Sequence, residues 1–134
     1  MTLNLQVLTS NGIIWSSEAQ EVILSTNSGQ IGILPNHSPL LTGLDIGVMK
    51  ARIDNQWIAM ALLGGFAQID NNKVIILVND AEKATDINLD EAQSTFIIAK
   101  VKLSKATSRK QEIEATLAVK RAKARLEAAQ VINA

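Results

Sequence analysis

Over the first half of the chain, apolar and polar positions alternate with period two, and turn residues interrupt the alternation about every 8–12 residues. Leu3, Leu5 and Val7 alternate with Asn4 and Gln6; Asn11-Gly12 reads as a turn, and Ile13, Ile14 and Trp15 follow. Val22–Ser25 and Ile31–Leu34 flank Asn27-Ser28-Gly29, a hairpin signal. Pro35 and Pro39 then bracket an irregular loop, because each fixes φ and removes a ladder donor. Asp54-Asn55 joins Gly47–Ile53 to Trp57–Leu63, and Asn71-Asn72 joins Phe66–Asp70 to Lys73–Val78. Asparagine tolerates positive φ better than most residues, so both pairs suit two-residue turns. The pattern predicts a β-sandwich of about ten short strands around a core of Val, Ile, Leu and the two Trp.

At Asn88 the period changes to three and four. Asn88 suits an N-cap, Glu91 stands where a capping box is closed, and Asp90 favours the positive helix end. Leu89, Ala92, Phe96, Ala99 and Leu103 form one apolar stripe, and Ser104–Ser108 breaks the run. A second helix is predicted from about Arg109 to Val131, with Ala115, Ala118, Val119, Ala122, Leu126 and Ala129 as a narrow, alanine-rich stripe. Small side chains let helix axes approach closely, so the expected packing is an antiparallel two-helix hairpin at the C-terminus. Little area is buried that way, so such a hairpin is expected to be marginal alone and able to move against the β domain.

Charge divides the chain at the same place. Residues 1–86 carry four basic and eight acidic side chains, a net −4; residues 87–134 carry nine and five, a net +4. Two domains are expected on those boundaries, 1–86 and 87–134. The whole chain has thirteen of each sign and so no overall field toward nucleic acid or an anionic membrane. Cysteine is absent, which excludes disulfides and thiolate chemistry. Met1–Val7 has no charged n-region or apolar h-region, so the chain is expected to begin as structure. No apolar run approaches the ~18–20 residues that cross a bilayer, and membrane association is expected only through partners.

Candidate chemistry is sparse. His37, the one histidine, lies near Ser38 and Asp45, but no nucleophile elbow surrounds Ser38, and the favoured reading is a loop histidine held by hydrogen bonds. One histidine and no cysteine leave too few donors for a metal. Gly64-Gly65 lacks the helix and Lys-Ser/Thr pair of a phosphate loop and reads as a place where the backbone bends or lies against a neighbouring chain. The basic stretch Lys120–Arg125 has no interleaved aromatic residue, which disfavours nucleic acid and leaves an acidic protein surface or plain solvation. No catalytic residue is expected.

The run Ser28-Gly29-Gln30-Ile31-Gly32-Ile33-Leu34-Pro35-Asn36-His37-Ser38-Pro39-Leu40-Leu41, followed by Gly47-Val48-Met49, Gly64-Gly65-Phe66-Ala67 and Val74–Glu82, resembles the epsilon subunits of F-type ATP synthases over essentially the whole chain. Leu24–Gln30 and Leu77–Glu82 are most similar to the chloroplast form. The resemblance implies a ten-stranded sandwich with two C-terminal helices in a non-catalytic subunit of the rotating central stalk. Its implied partners are the gamma subunit and the c-ring, with the helices approaching the alpha and beta subunits to restrain ATP hydrolysis. The implied location is the stromal side of the thylakoid membrane, as a peripheral part of the complex. Carried over by position, Ser28, Gly29, Gln30 and His37 face the c-ring, and Lys120, Arg121, Lys123 and Arg125 face an acidic segment of the beta subunit. Some bacterial members bind ATP through a helix motif with Asp before Arg-Ala; matched to Leu117–Ala122 that Asp is missing, so no cofactor is implied. The rival expectation is a small-ligand or carbohydrate-binding sandwich, which requires Trp15, Trp57, Phe66 and Phe96 to supply an aromatic pocket.

Overall fold

The computed structural model describes residues 2–132; Met1 and positions 133–134, which the expected domain spans include, lie outside the described residues. The described residues form eight strands: β1 Leu3–Thr9, β2 Gly12–Ala19, β3 Glu21–Thr26, β4 Gly29–Ile33, β5 Leu40–Ile53, β6 Gln56–Asp70, β7 Lys73–Val78 and β8 Ala81–Lys83. A short 3-10 turn, Ala84–Asp86, leads to helices α1 Leu89–Ser104 and α2 Arg109–Ile132.

The strands form one hydrogen-bonded path, β2-β1-β7-β6-β5-β3-β4, with β8 added beside β6. That path folds over on itself. Leu5 and Val7 of β1, Val22 and Leu24 of β3, Met49 of β5, Ile69 of β6 and Ile76 of β7 share one buried cluster although β3 pairs with neither β1 nor β7. The fold-over is carried by the two long strands. Leu40–Leu44 of β5 pairs with Gly65–Ile69 of β6 beside β7, while Ile46–Ile53 pairs with Gln56–Leu63 beside β3 and β8. β5 and β6 therefore belong to both layers of the sandwich. Counted once per layer they account for ten strand segments, which is how eight strands meet an expectation of about ten.

Glycine makes the bend possible in β6. Gly64 and Gly65 have φ of 74° and 145°, and a Cβ on Gly65 would overlap the Leu77 carbonyl oxygen and lie 2.8 Å from the Val78 Cα. The flanking hairpins follow the asparagine signals: Asp54-Asn55 have φ of 51° and 64°, and Asn71-Asn72 49° and 62°. Positive φ at both central positions is the hairpin turn whose twist matches the flanking strands.

Alternation then decides which face each side chain takes. In β5 Met49 enters the sandwich core and its neighbour Val48 the opposite face; in β6 Met60 goes in while Ala59 and Ala61 go out. Val48, Ala59 and Ala61 are covered by Ala124, Ala128 and Ala129 of α2, together with Ala84, Ile87 and Ala92. The helical hairpin thus lies folded on the outer face of one layer. Its sheet-facing stripe includes Ala124 and Ala128, which the predicted stripe omits, whereas Ala118 of that stripe is exposed.

Both helix starts are capped. Asn88 Oδ1 accepts from the Glu91 N–H at 2.9 Å, satisfying one orphan donor and contributing about 1 kcal/mol. Ser108 Oγ does the same for the Gln111 N–H at 3.2 Å. The expected capping box at α1 does not close, because the Glu91 carboxylate turns toward Arg125 instead.

Candidate functional site

Three surfaces stand apart from the rest of the molecule. The first is the outer face of the layer that the helices leave bare. Ile13, Leu8, Leu77 and Phe66 are successive cross-strand partners on β2, β1, β7 and β6, so their side chains form one row across four strands. Phe66 is 61% exposed and Leu77 54%, and Leu41 on the adjoining row of β5 is 72% exposed. A contiguous apolar row left in water marks a docking surface rather than a random surface residue.

The second surface is the β4 edge. β4 ends the strand path, so one side of its ladder is unpaired. Ser28, Gly29 and Gln30 lie at its start, where Thr26 Oγ1 donates to the Gly29 carbonyl at 2.7 Å and accepts from the Ser28 N–H at 3.1 Å. His37 follows its far end. There the His37 N–H donates to the Leu34 carbonyl at 3.2 Å, and Pro35 with Asn36 at φ 69° fits a type II turn. The Asn36 N–H is fixed on Asn72 Oδ1 at 2.6 Å. The four c-ring candidates therefore line one edge and do not converge on a point. No triad is assembled around His37: its Nδ1 lies 2.6 Å from the Ser38 carbonyl oxygen, and Asp45 accepts from the Ile46 N–H. Among the described residues no group of three potential metal-binding side chains occurs.

The third surface belongs to α2, where the four candidate cations separate. Lys120 and Arg121 are exposed and form no ion pair among the described residues, and Lys123 makes only an exposed i,i+4 contact of 3.8 Å with Glu127. Arg125 turns inward. Its Nε donates to Glu82 Oε1 at 2.7 Å and its Nη2 to Glu82 Oε2 at 3.3 Å; Nη1 and Nη2 reach Glu91 at 3.2 and 2.9 Å. One guanidinium joins β8, α1 and α2. Helix periodicity carried a signal for this, since Arg125 is three positions after Ala122 and four before Ala129, on the buried side.

Hydrogen bonding to Arg125, and then its charge, hold the Glu91 carboxyl below its ordinary range. The same contacts, Glu91 first and then Glu82, raise the Arg125 pKa, so this group stays charged throughout. Because the Glu91 pKa is depressed on folding, its contribution is present above the usual carboxylate range and disappears as pH falls through the lowered value. Protection factors in residues 119–131, taken against the intrinsic exchange rate at each pH, are thus expected to fall below about pH 4, with a smaller acid response in Glu91→Gln. An equal response in that variant would assign the loss to other carboxylates.

The aromatic residues do not gather. Trp15 lines a cavity of about 210 Å³ with Ile58, Met60 and Lys83 and no second aromatic. Trp57 lies against Arg52 at 5.9 Å, Phe96 against Lys100 at 5.1 Å, and Phe66 belongs to the bare row. The pocket required by the ligand-binding reading is not built.

Comparison with known proteins agrees across both domains. Residues 2–84 match the family described as ATP synthase, Delta/Epsilon chain, beta-sandwich domain, and residues 85–130 match ATP synthase, Delta/Epsilon chain, long alpha-helix domain. The "ATP synthase epsilon chain, chloroplastic" of Staurastrum punctulatum is 69% identical over 128 residues, covering 96% of this chain and 93% of that protein. The protein of the same name from Nymphaea alba is 61% identical over 133 residues, covering 99% of each. Among solved structures, a chain of the Euglena gracilis mitochondrial ATP synthase, described as OSCP/F1/c-ring, has a similar fold, with a TM-score of 0.83 at 20% identity over 96% of this chain and 81% of that one. With both halves matched over residues 2–130, the chain belongs to the ATP synthase delta/epsilon chain family.

Proposed function

We propose that this chain is the epsilon subunit of a chloroplast-type ATP synthase, a non-catalytic part of the central stalk that couples rotation to ATP synthesis and restrains ATP hydrolysis through its helices. The observation that carries the reading is the family match across both domains, residues 2–130. The division of labour follows the domains, with 1–86 anchoring and 87–134 braking. The bare row Ile13–Leu8–Leu77–Phe66 offers the gamma subunit an apolar seat, and the β4 edge with Ser28, Gly29, Gln30 and His37 faces the c-ring. No described helix is long and apolar enough to cross a membrane, so attachment at the stromal side of the thylakoid goes through these partners. Lys120, Arg121 and Lys123 are the outward cations available to an acidic beta-subunit segment. No cofactor enters this role.

The test is truncation after Thr85. The sandwich core contains no residue beyond Ala81, so the β domain should still fold and the enzyme should still assemble. Latent ATP hydrolysis should then rise. Hydrolysis that stayed equally suppressed in the assembled enzyme would reject the helical brake.

A further inference from the structure

We infer that Arg125 is an exchangeable latch, holding α2 on the sandwich through Glu82 and Glu91 and passing its charge to an acidic partner surface when the helices leave the sheet. The second half of this inference rests on the reading of the helices as a brake; the first half stands on geometry alone.

Apart from Arg125, the fully buried part of the helix side of the docked interface is alanine, with Leu89, Leu126 and Val131 packed half-buried at its margin. Ala92, Ala124, Ala128 and Ala129 meet Val48, Ala59, Ala61 and Ala84, and each alanine removes little apolar area from water compared with a leucine or phenylalanine. Polar contacts add to this apolar docking. Arg125 makes four of them, to carboxylates on two other elements, with the planar fork that suits two-point contacts.

Exposure makes the latch releasable. The side chains of Arg125, Glu82 and Glu91 are 23%, 36% and 55% exposed. Water reaches all three, so parting them does not strand a fully buried charge, the circumstance that makes breaking an interior ion pair so costly. An acidic surface offered from outside competes for the same five donors. While the latch is closed, the Arg125 guanidinium is taken up by Glu82 and Glu91; opened, it adds one more available cation to those of Lys120, Arg121 and Lys123. The folded and the partner-bound states thus compete for one guanidinium, which gives them opposite dependence on Glu82 and Glu91.

Two variants separate these roles. Glu82→Gln combined with Glu91→Gln removes the latch partners and keeps Arg125; Arg125→Ala removes the cation itself. In the full-length chain both should speed hydrogen exchange in residues 119–131 about tenfold, while β7 residues 73–78 keep their protection and report an intact sandwich. In the reassembled enzyme the double Gln variant should suppress ATP hydrolysis several-fold more than the unaltered chain, and Arg125→Ala should not. Unchanged exchange in both variants overturns the latch. Equal shifts of hydrolysis in both overturn the exchange of partners. Faster exchange in both with hydrolysis untouched supports the latch and rejects the brake on which the second half depends.

Discussion

Gly65→Ala should unfold the β domain at a urea concentration well below that of the unaltered chain, a loss of roughly 3 kcal/mol or more. Two effects add at this position. The backbone sits at φ 145°, and the new methyl would overlap the Leu77 carbonyl oxygen. The obstacle is backbone held in the β6–β7 ladder, where Gly65 is the partner of Val78, so no side-chain rotation relieves it. The neighbouring glycine is the control. At Gly64 φ is 74° and the nearest heavy atom to an added Cβ is 3.8 Å away, so Gly64→Ala should cost only the left-handed backbone penalty of about 1 kcal/mol. Equal losses in the two variants would show that φ alone, rather than the close approach of β7, governs the bend.

A second large effect is expected on the other side of the sheet. Ala128 is fully buried in the seam between α2 and the sheet. Replacing it with leucine inserts three heavy atoms where none fit, a strain of about 1–3 kcal/mol. The sandwich and the seam do not share that strain equally, because the sandwich is locked by ladders on both sides of β5 and β6 while the hairpin is held only by side-chain packing and one ion cluster. Ala128→Leu is therefore expected to undock α2 without unfolding the β domain. Hydrogen exchange reads this directly: residues 119–131 should lose protection and residues 73–78 should keep it. Ala118→Leu, on the exposed side of the same helix, should change neither. Joint loss of protection in both segments would mean that the helices and sandwich form one cooperative unit.

What the sequence revealed follows the range of the interactions. The turns at Asp54-Asn55 and Asn71-Asn72 were legible because positive φ is a property of the residues themselves. The switch to helix at Asn88 was legible because capping and period act within a few residues. Layer membership was not, since Leu40–Ile53 and Gln56–Asp70 each pass through a bend whose location depends on partners far along the chain. Local reading broke them into shorter strands and so reached the higher count. The seam residues Ala124 and Ala128 were hidden for a related reason. They lie within the basic run Lys120–Arg125 or just after it, where charge dominates the pattern and a two-sided alanine helix looks one-sided. The same run drew Arg125 into a group with Lys120, Arg121 and Lys123, although its spacing from Ala122 and Ala129 already placed it on the inner side. Glu82, which holds it there, comes from a three-residue strand that no periodicity could announce.

The two strands shared between layers also have a mechanical meaning. In the stalk role proposed above the β domain would carry load, and a force applied to one sheet of a sandwich whose layers share no strand reaches the other only through side-chain packing. Here the pull has a covalent route. Tension entering at the β4 edge passes through β3 to β5, and the continuous chain of β5 and β6 delivers it into the opposite layer. The β domain should therefore behave under torque as a stiff single body, leaving compliance to the helices that rest on its outer face.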